Sequence, residues 1–112
     1  MTPADLAQKQ LDAYNRQDMA AFAACYADDV VVADLNGAVS TAGIAAFRER
    51  YAKMFRENPE NRAELVNRVA VGNVVIDHER VFRARSGAPF EALAIMTVAN
   101  GKIARVDFVR SA

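Results

Sequence analysis

The dipeptide Asn100-Gly101 constrains this chain more than any other feature. Asn and Gly both tolerate the left-handed backbone that a two-residue hairpin turn demands, and here they sit between two apolar, β-rich runs, 90–99 and 102–110. Gly72-Asn73 divides the runs 62–71 and 74–85 in the same way, and Ser86-Gly87-Ala88-Pro89 supplies the turn between the two pairs. The second half is therefore expected to be a four-stranded antiparallel meander. If Gly72-Asn73 is the turn, residues whose numbers sum to 145 face each other, so Arg68 lies opposite Asp77, with Glu79 diagonal to it.

The first half has helical periodicity. Thr2-Pro3 reads as an N-cap followed by proline in the first turn, with Asp5 complementing the helix dipole, and Ala7, Leu11 and Tyr14 share one face. Asn15 is a candidate for ending this helix in a left-handed conformation. Asp18 caps a second, short helix in which Met19, Phe22 and Tyr26 align. Val30-Val31-Val32-Ala33-Asp34 is β-branched and too short for a helix. It reads as a strand, and Asn36-Gly37 turns it toward a second strand near Val39. From Gly43, the positions Ile44, Phe47, Tyr51, Met54 and Phe55 recur at helical spacing until Asn58-Pro59 ends the pattern. The order α-α-β-β-α-β-β-β-β predicts an α+β fold, one domain over residues 1–112, with helices on one face of a sheet.

Composition excludes several functions. Fourteen acidic residues balance fourteen basic ones, and Arg48, Arg50, Lys53 and Arg56 alternate with Glu49 and Glu57 as on a solvated helix face. No nucleic-acid or membrane partner is expected. The single cysteine, Cys25, lies in an apolar stretch and reads as a core residue, which removes disulfides and cysteine metal clusters from consideration. With no signal-peptide pattern and no run of transmembrane length, the chain is expected to be soluble and cytoplasmic. The strands around Val30–Val32 and Leu93–Met96 are apolar on both faces, so a homodimer through the outer face of the sheet is expected.

The segments Ala13-Tyr14-Asn15-Arg16-Gln17-Asp18 and Tyr26-Ala27-Asp28-Asp29-Val30, the helix opened by Gly43, and Asn100-Gly101-Lys102-Ile103 occur in this order and spacing. Together they resemble the ketosteroid isomerase and SnoaL-like branch of the nuclear-transport-factor-2-like superfamily. The resemblance implies a cone-shaped curved sheet with three helices on its concave face. It further implies a deep apolar pocket for a small hydrophobic molecule, usually in a dimer. Asp34 matches the general-base aspartate of the isomerases, and a carboxylate closing a valine-rich strand is a candidate for a raised pKa. Its other reading is a strand-end cap on the Asn36-Gly37 turn.

The positions matching the isomerases' oxyanion donors hold Gln10 and either Ile95 or Met96, whereas Tyr51 matches a supporting tyrosine. Half the apparatus is missing, and authentic ketosteroid isomerase activity is not expected. His78, the only histidine, pairs with Asp34 as an acid–base candidate if its face is concave; otherwise Asn67 holds it against the core or a dimer interface. The Arg68–Asp77/Glu79 cluster reads as a structural cross-strand group. Tyr14, Phe22, Tyr26, Phe47, Tyr51 and Phe55 are core candidates, a subset of which line the pocket. No metal or cofactor is expected. The implied chemistry is isomerisation, cyclisation or hydration without a cofactor; the alternative is a non-catalytic ligand-binding or dimerisation module.

Overall fold

The structure, a computed structural model, describes residues 1–111. Its elements run α1 (Pro3–Arg16), α2 (Met19–Ala23), β1 (Tyr26–Asp34), β2 (Val39–Ala42), α3 (Ile44–Glu57), β3 (Arg62–Val71), β4 (Val74–Phe82), β5 (Phe90–Ala99) and β6 (Lys102–Arg110). This is the α-α-β-β-α-β-β-β-β order read from the sequence. One curved, unclosed sheet has the strand order β2-β1-β6-β5-β4-β3. The last four strands form the antiparallel meander, and β1 joins it parallel to β6, which makes the sheet mixed.

The turns carry the backbone geometry their residues predict. Asn100 and Gly101 both have positive φ, whereas at Gly72-Asn73 only the glycine does. A capping box at α1 joins the Thr2 side chain to the Asp5 amide and the Asp5 carboxylate to the Thr2 amide. At α2, Asp18 accepts from the Ala21 amide.

Three local expectations shift. α1 runs past Asn15 and ends with Gln17 in the left-handed region. Asn15 instead bonds both the N–H and the C=O of Ala63, at 2.8 and 3.0 Å, fastening α1 to the edge strand β3. Tyr26 belongs to β1, paired with Ile103, and Cys25 is buried in the turn before it. β4 stops at Phe82, because the next side chain, Arg83, turns inward to Tyr14 and Asn61.

The core is held by Phe22, whose ring lies 5.0–6.1 Å from those of Tyr14, Tyr26, Phe47, Tyr51 and Phe55. These rings gather the three helices over the sheet. A smaller cluster of Leu11, Ala63, Val81 and Ala92 packs beside it, at the β3–β4 end. Tyr14 packs against both clusters, and the adjacent inward positions of β5, Ala92 and Ala94, belong to one each. Small side chains at that point leave space under the helices.

Asn15 gives the fold a direct test. Replacing it with Ala removes both bonds to Ala63 and is expected to lower stability by about 1–2 kcal/mol. Urea unfolding should show this as a lower midpoint at unchanged slope.

Candidate functional site

Alternation along β4 decides what the cavity contains. Val75, Asp77, Glu79 and Val81 are buried toward the helices, whereas Val74, Ile76, His78, Arg80 and Phe82 face outward. Across β3 the register is the one expected from the turn, with Arg68 opposite Asp77, down to an irregularity between Leu65 and Asn67. The acidic face, not the apolar one, is thus turned inside. Arg68 makes this tolerable. Its Nε and Nη2 donate to the two Asp77 carboxylate oxygens at 2.7 and 2.9 Å, and its Nη1 reaches Gln8 on α1 at 2.9 Å. Asp77 is fully buried in this forked pair.

Glu79, two residues along on the same face, has no such partner. It is 8% exposed, lines the cavity, and receives no hydrogen bond among the described residues. Burial raises its pKa to about 7; the neighbouring Asp77 adds to the rise and Arg68 opposes it. A cavity carboxyl with so perturbed a pKa is a candidate for acid–base chemistry.

The cavity has a volume of about 90 Å³ and communicates with solvent. Its floor is Ala92, Ala94, Met96 and Val106, and its roof is Gln10, Tyr14 and Tyr51 with Phe22 and Tyr26 behind. Gln10 is committed internally: its amide donates to the Ala7 carbonyl and its oxygen accepts from the Tyr26 hydroxyl at 2.8 Å. Tyr14 accepts from Asn61 at 2.7 Å and from Arg83 at 3.3 Å. The Tyr51 hydroxyl has no partner among the described residues, and burial pushes its pKa up, so it is a neutral O–H donor. Three arginines, Arg50, Arg83 and Arg110, complete the lining.

Several expected site residues lie elsewhere. The Asp34 side chain is 66% exposed, outside the cavity lining, with Arg110 at 3.7 Å. Val30 and Val32 are buried, but β1 ends at Asp34 and the chain turns into solvent there. His78 faces the outer side of the sheet with Asn67 directly across in the β3–β4 register, as expected, but its Nε2 lies 2.7 Å from Glu91 rather than bonding Asn67. The two therefore do not meet across the pocket. Phe47 and Phe55 are core residues behind the lining, whereas Gln10, Tyr14, Phe22, Tyr26 and Tyr51 do line it. Of the two positions matched to the second oxyanion donor, Met96 faces the cavity and Ile95 the outside. Among the described residues no group of three potential metal ligands occurs, and no helix is long and apolar enough to cross a membrane.

Glu79 also sets a pH signature. Its pKa is about 7 folded against 4.5 as the ordinary value, so the native state holds the proton between these limits while the unfolded chain releases it. Stability must then fall as pH rises from about 4.5 to 7 and stay level above, a loss on the order of 3 kcal/mol. Glu79→Gln is expected to be the more stable protein above pH 7 and to lose most of that slope. Guanidinium unfolding of both proteins from pH 5 to 8 measures the difference.

Comparison with known proteins agrees with this geometry. Residues 7–106 match the model of the SnoaL-like domain. A cystatin-fold protein from Novosphingobium aromaticivorans superposes with a TM-score of 0.91 at 31% identity, covering 98% of this chain and 99% of the other. A candidate polyketide cyclase from Sinorhizobium meliloti gives 0.80 at 24% identity, covering 94% of each chain. A candidate ketosteroid isomerase from Kribbella flavida gives 0.82 at 19%, covering 98% of this chain and 78% of that one. No curated protein matches the chain. With a matching element order, mixed curved sheet and family model over nearly its whole length, the chain belongs to the SnoaL-like domain family of the nuclear-transport-factor-2-like fold.

Proposed function

We propose that this protein binds a small, mostly apolar carbonyl compound in the cavity and moves a proton on it without a cofactor, with Glu79 as the base. The observation that carries this reading is the unpaired Glu79 carboxyl, buried in the cavity with a pKa of about 7. A base is most useful when it is partly ionised at working pH yet still basic enough to accept a proton. The product of α-proton removal is an enolate, whose oxygen needs donors, and the unpartnered Tyr51 hydroxyl is a neutral donor in the same lining. Returning the proton to another atom of the enolate is isomerisation, and attack by the enolate on a second carbonyl is aldol-type cyclisation. Asp34 is solvated at the rim, so the role that the family resemblance implies for it passes to Glu79.

Exchange of carbon-bound protons reads this directly. Small cyclic ketones such as cyclopentanone, incubated with the protein in D2O, should be deuterated at the α-carbon faster than in buffer, as followed by proton NMR. The rate should rise with pH through about 7 and level off as Glu79 ionises. Glu79→Gln is expected to lower it at least about 100-fold, and Asp34→Asn to leave it within about twofold. Loss of exchange in Asp34→Asn with full activity in Glu79→Gln would return the base to Asp34.

The outer face supports a homodimer. Val69, Val71 and Val109 are exposed there beside the half-buried Ile76, Leu93 and Ile95, with His78, Arg80 and Glu91 as a mixed-charge border. A second copy would cover this face with matching apolar and charged groups. Light scattering at micromolar concentration should give twice the 12.2 kDa chain mass, and Ile95→Arg should reduce it to the monomer.

A further inference from the structure

We infer that the ligand is an organic anion, an apolar body bearing a carboxylate, whose charged end is held at the cavity mouth by Arg50, Arg83 and Arg110. This rests on the reading of the cavity as a binding site and specifies its substrate class.

The strand pairing places Arg83 and Arg110 at the same end of the sheet. β4 ends at Phe82 just before Arg83, β5 begins at Phe90, and β6 ends at Arg110. With Val81 opposite Phe90 and Ala92 opposite Arg110, these termini lie at one end of the sheet. Arg50 projects from α3 toward β2, where its Nη1 donates to the hydroxyls of Ser40 and Thr41 at 2.9 and 3.0 Å. All three arginines are among the residues that line the cavity.

Each of them lies near an aromatic ring of the same lining: Arg50 at 5.3 Å from Tyr51, Arg83 at 5.0 Å from Phe90, and Arg110 at 4.4 Å from Phe108. Such stacking restrains a long side chain without consuming its in-plane N–H donors. The charges are also poorly balanced. Arg50 and Arg83 bond only hydroxyls, an amide oxygen and a thioether, and have no carboxylate partner among the described residues. Arg110 meets only the solvated Asp34, at 3.7 Å. The one acid in the lining is Glu79, which sits in the same cross-strand row as Arg110 with Ala92 between them. Three ring-stacked cations in a lining that holds a single acid suit a negative group. Carboxylate fits best, because guanidinium offers paired parallel donors to it and the remaining wall is hydrocarbon.

The test compares an acid with its neutral isostere. 4-Methylpentanoate and 4-methylpentanamide share the same apolar body, and only the first carries a charge. Titrated into the protein and followed by amide shifts of Ala92 and Ala94, the acid is expected to bind about tenfold or more tightly. Raising salt should narrow that ratio. In Arg110→Gln, and in Arg50→Gln as an independent variant remote from the chain end, the ratio should fall toward one, with native-like spectra confirming the fold. Equal or tighter binding of the amide, or a preference for the acid that survives both substitutions, overturns the anion ring while leaving the cavity as a binding site. Binding of neither compound overturns the ring together with the binding reading beneath it.

Discussion

The forked ion pair between Arg68 and Asp77 is the contact on which the rest of the site depends. A strand with Asp77 and Glu79 on one face and Ile76 and His78 on the other would ordinarily turn its acids to water. Here the guanidinium reaches across from β3, takes both oxygens of Asp77, and is itself braced by Gln8 of α1. Paired in this way, Asp77 is fully buried as a carboxylate. Because side chains alternate, fixing Asp77 inward fixes Glu79 inward and His78 outward. One cross-strand pair thus settles which titratable groups the cavity contains.

Much of the fold was legible in the sequence because its punctuation is stereochemical. Positive φ at Asn100, Gly101 and Gly72 limits those turns to a few residue types, and the hairpin registers follow from the turns. The helix starts were legible for the same reason, since Thr2 and Asp18 satisfy amides that have no other partner. The parallel pairing of β1 with β6 was not, because no local signal encodes a contact between segments so far apart in the chain.

The site was less legible than the fold. The pairing of Arg68 with Asp77 could be read from the hairpin, but which face pointed inward could not. That choice depends on Gln8 and on small residues in β5, neither of which marks the β3–β4 hairpin in sequence. Asp34 looked buried because its strand is valine-rich, yet the strand ends at that residue. The mouth arginines lie on α3, after β4 and at the end of β6, so only the folded sheet brings them together. Glu79 had one signal available: it lies at i+2 from an acid that has a cross-strand arginine, in a strand with apolar residues on both sides. A local rule is broken there, as expected at a functional site rather than a structural one.

The distance between the two charge groups matters as much as their presence. Had a mouth arginine approached Glu79, it would have held the carboxyl ionised and weakened it as a base. Only Asp77 and Arg68 act appreciably on its charge, and burial outweighs both. The backbones of Glu79 and Arg110 lie two strand spacings apart across β5, about 10 Å. A ligand held at the mouth by its anionic end would displace water from the opening and lie over Ala92, with its apolar body facing Glu79. A more dehydrated Glu79 would be a stronger base, so binding and proton transfer would reinforce one another. The cost of burying Glu79, on the order of 3 kcal/mol, is large for so small a domain. That cost is complete above pH 7 and vanishes below about 4.5, where folded and unfolded chains both hold the proton.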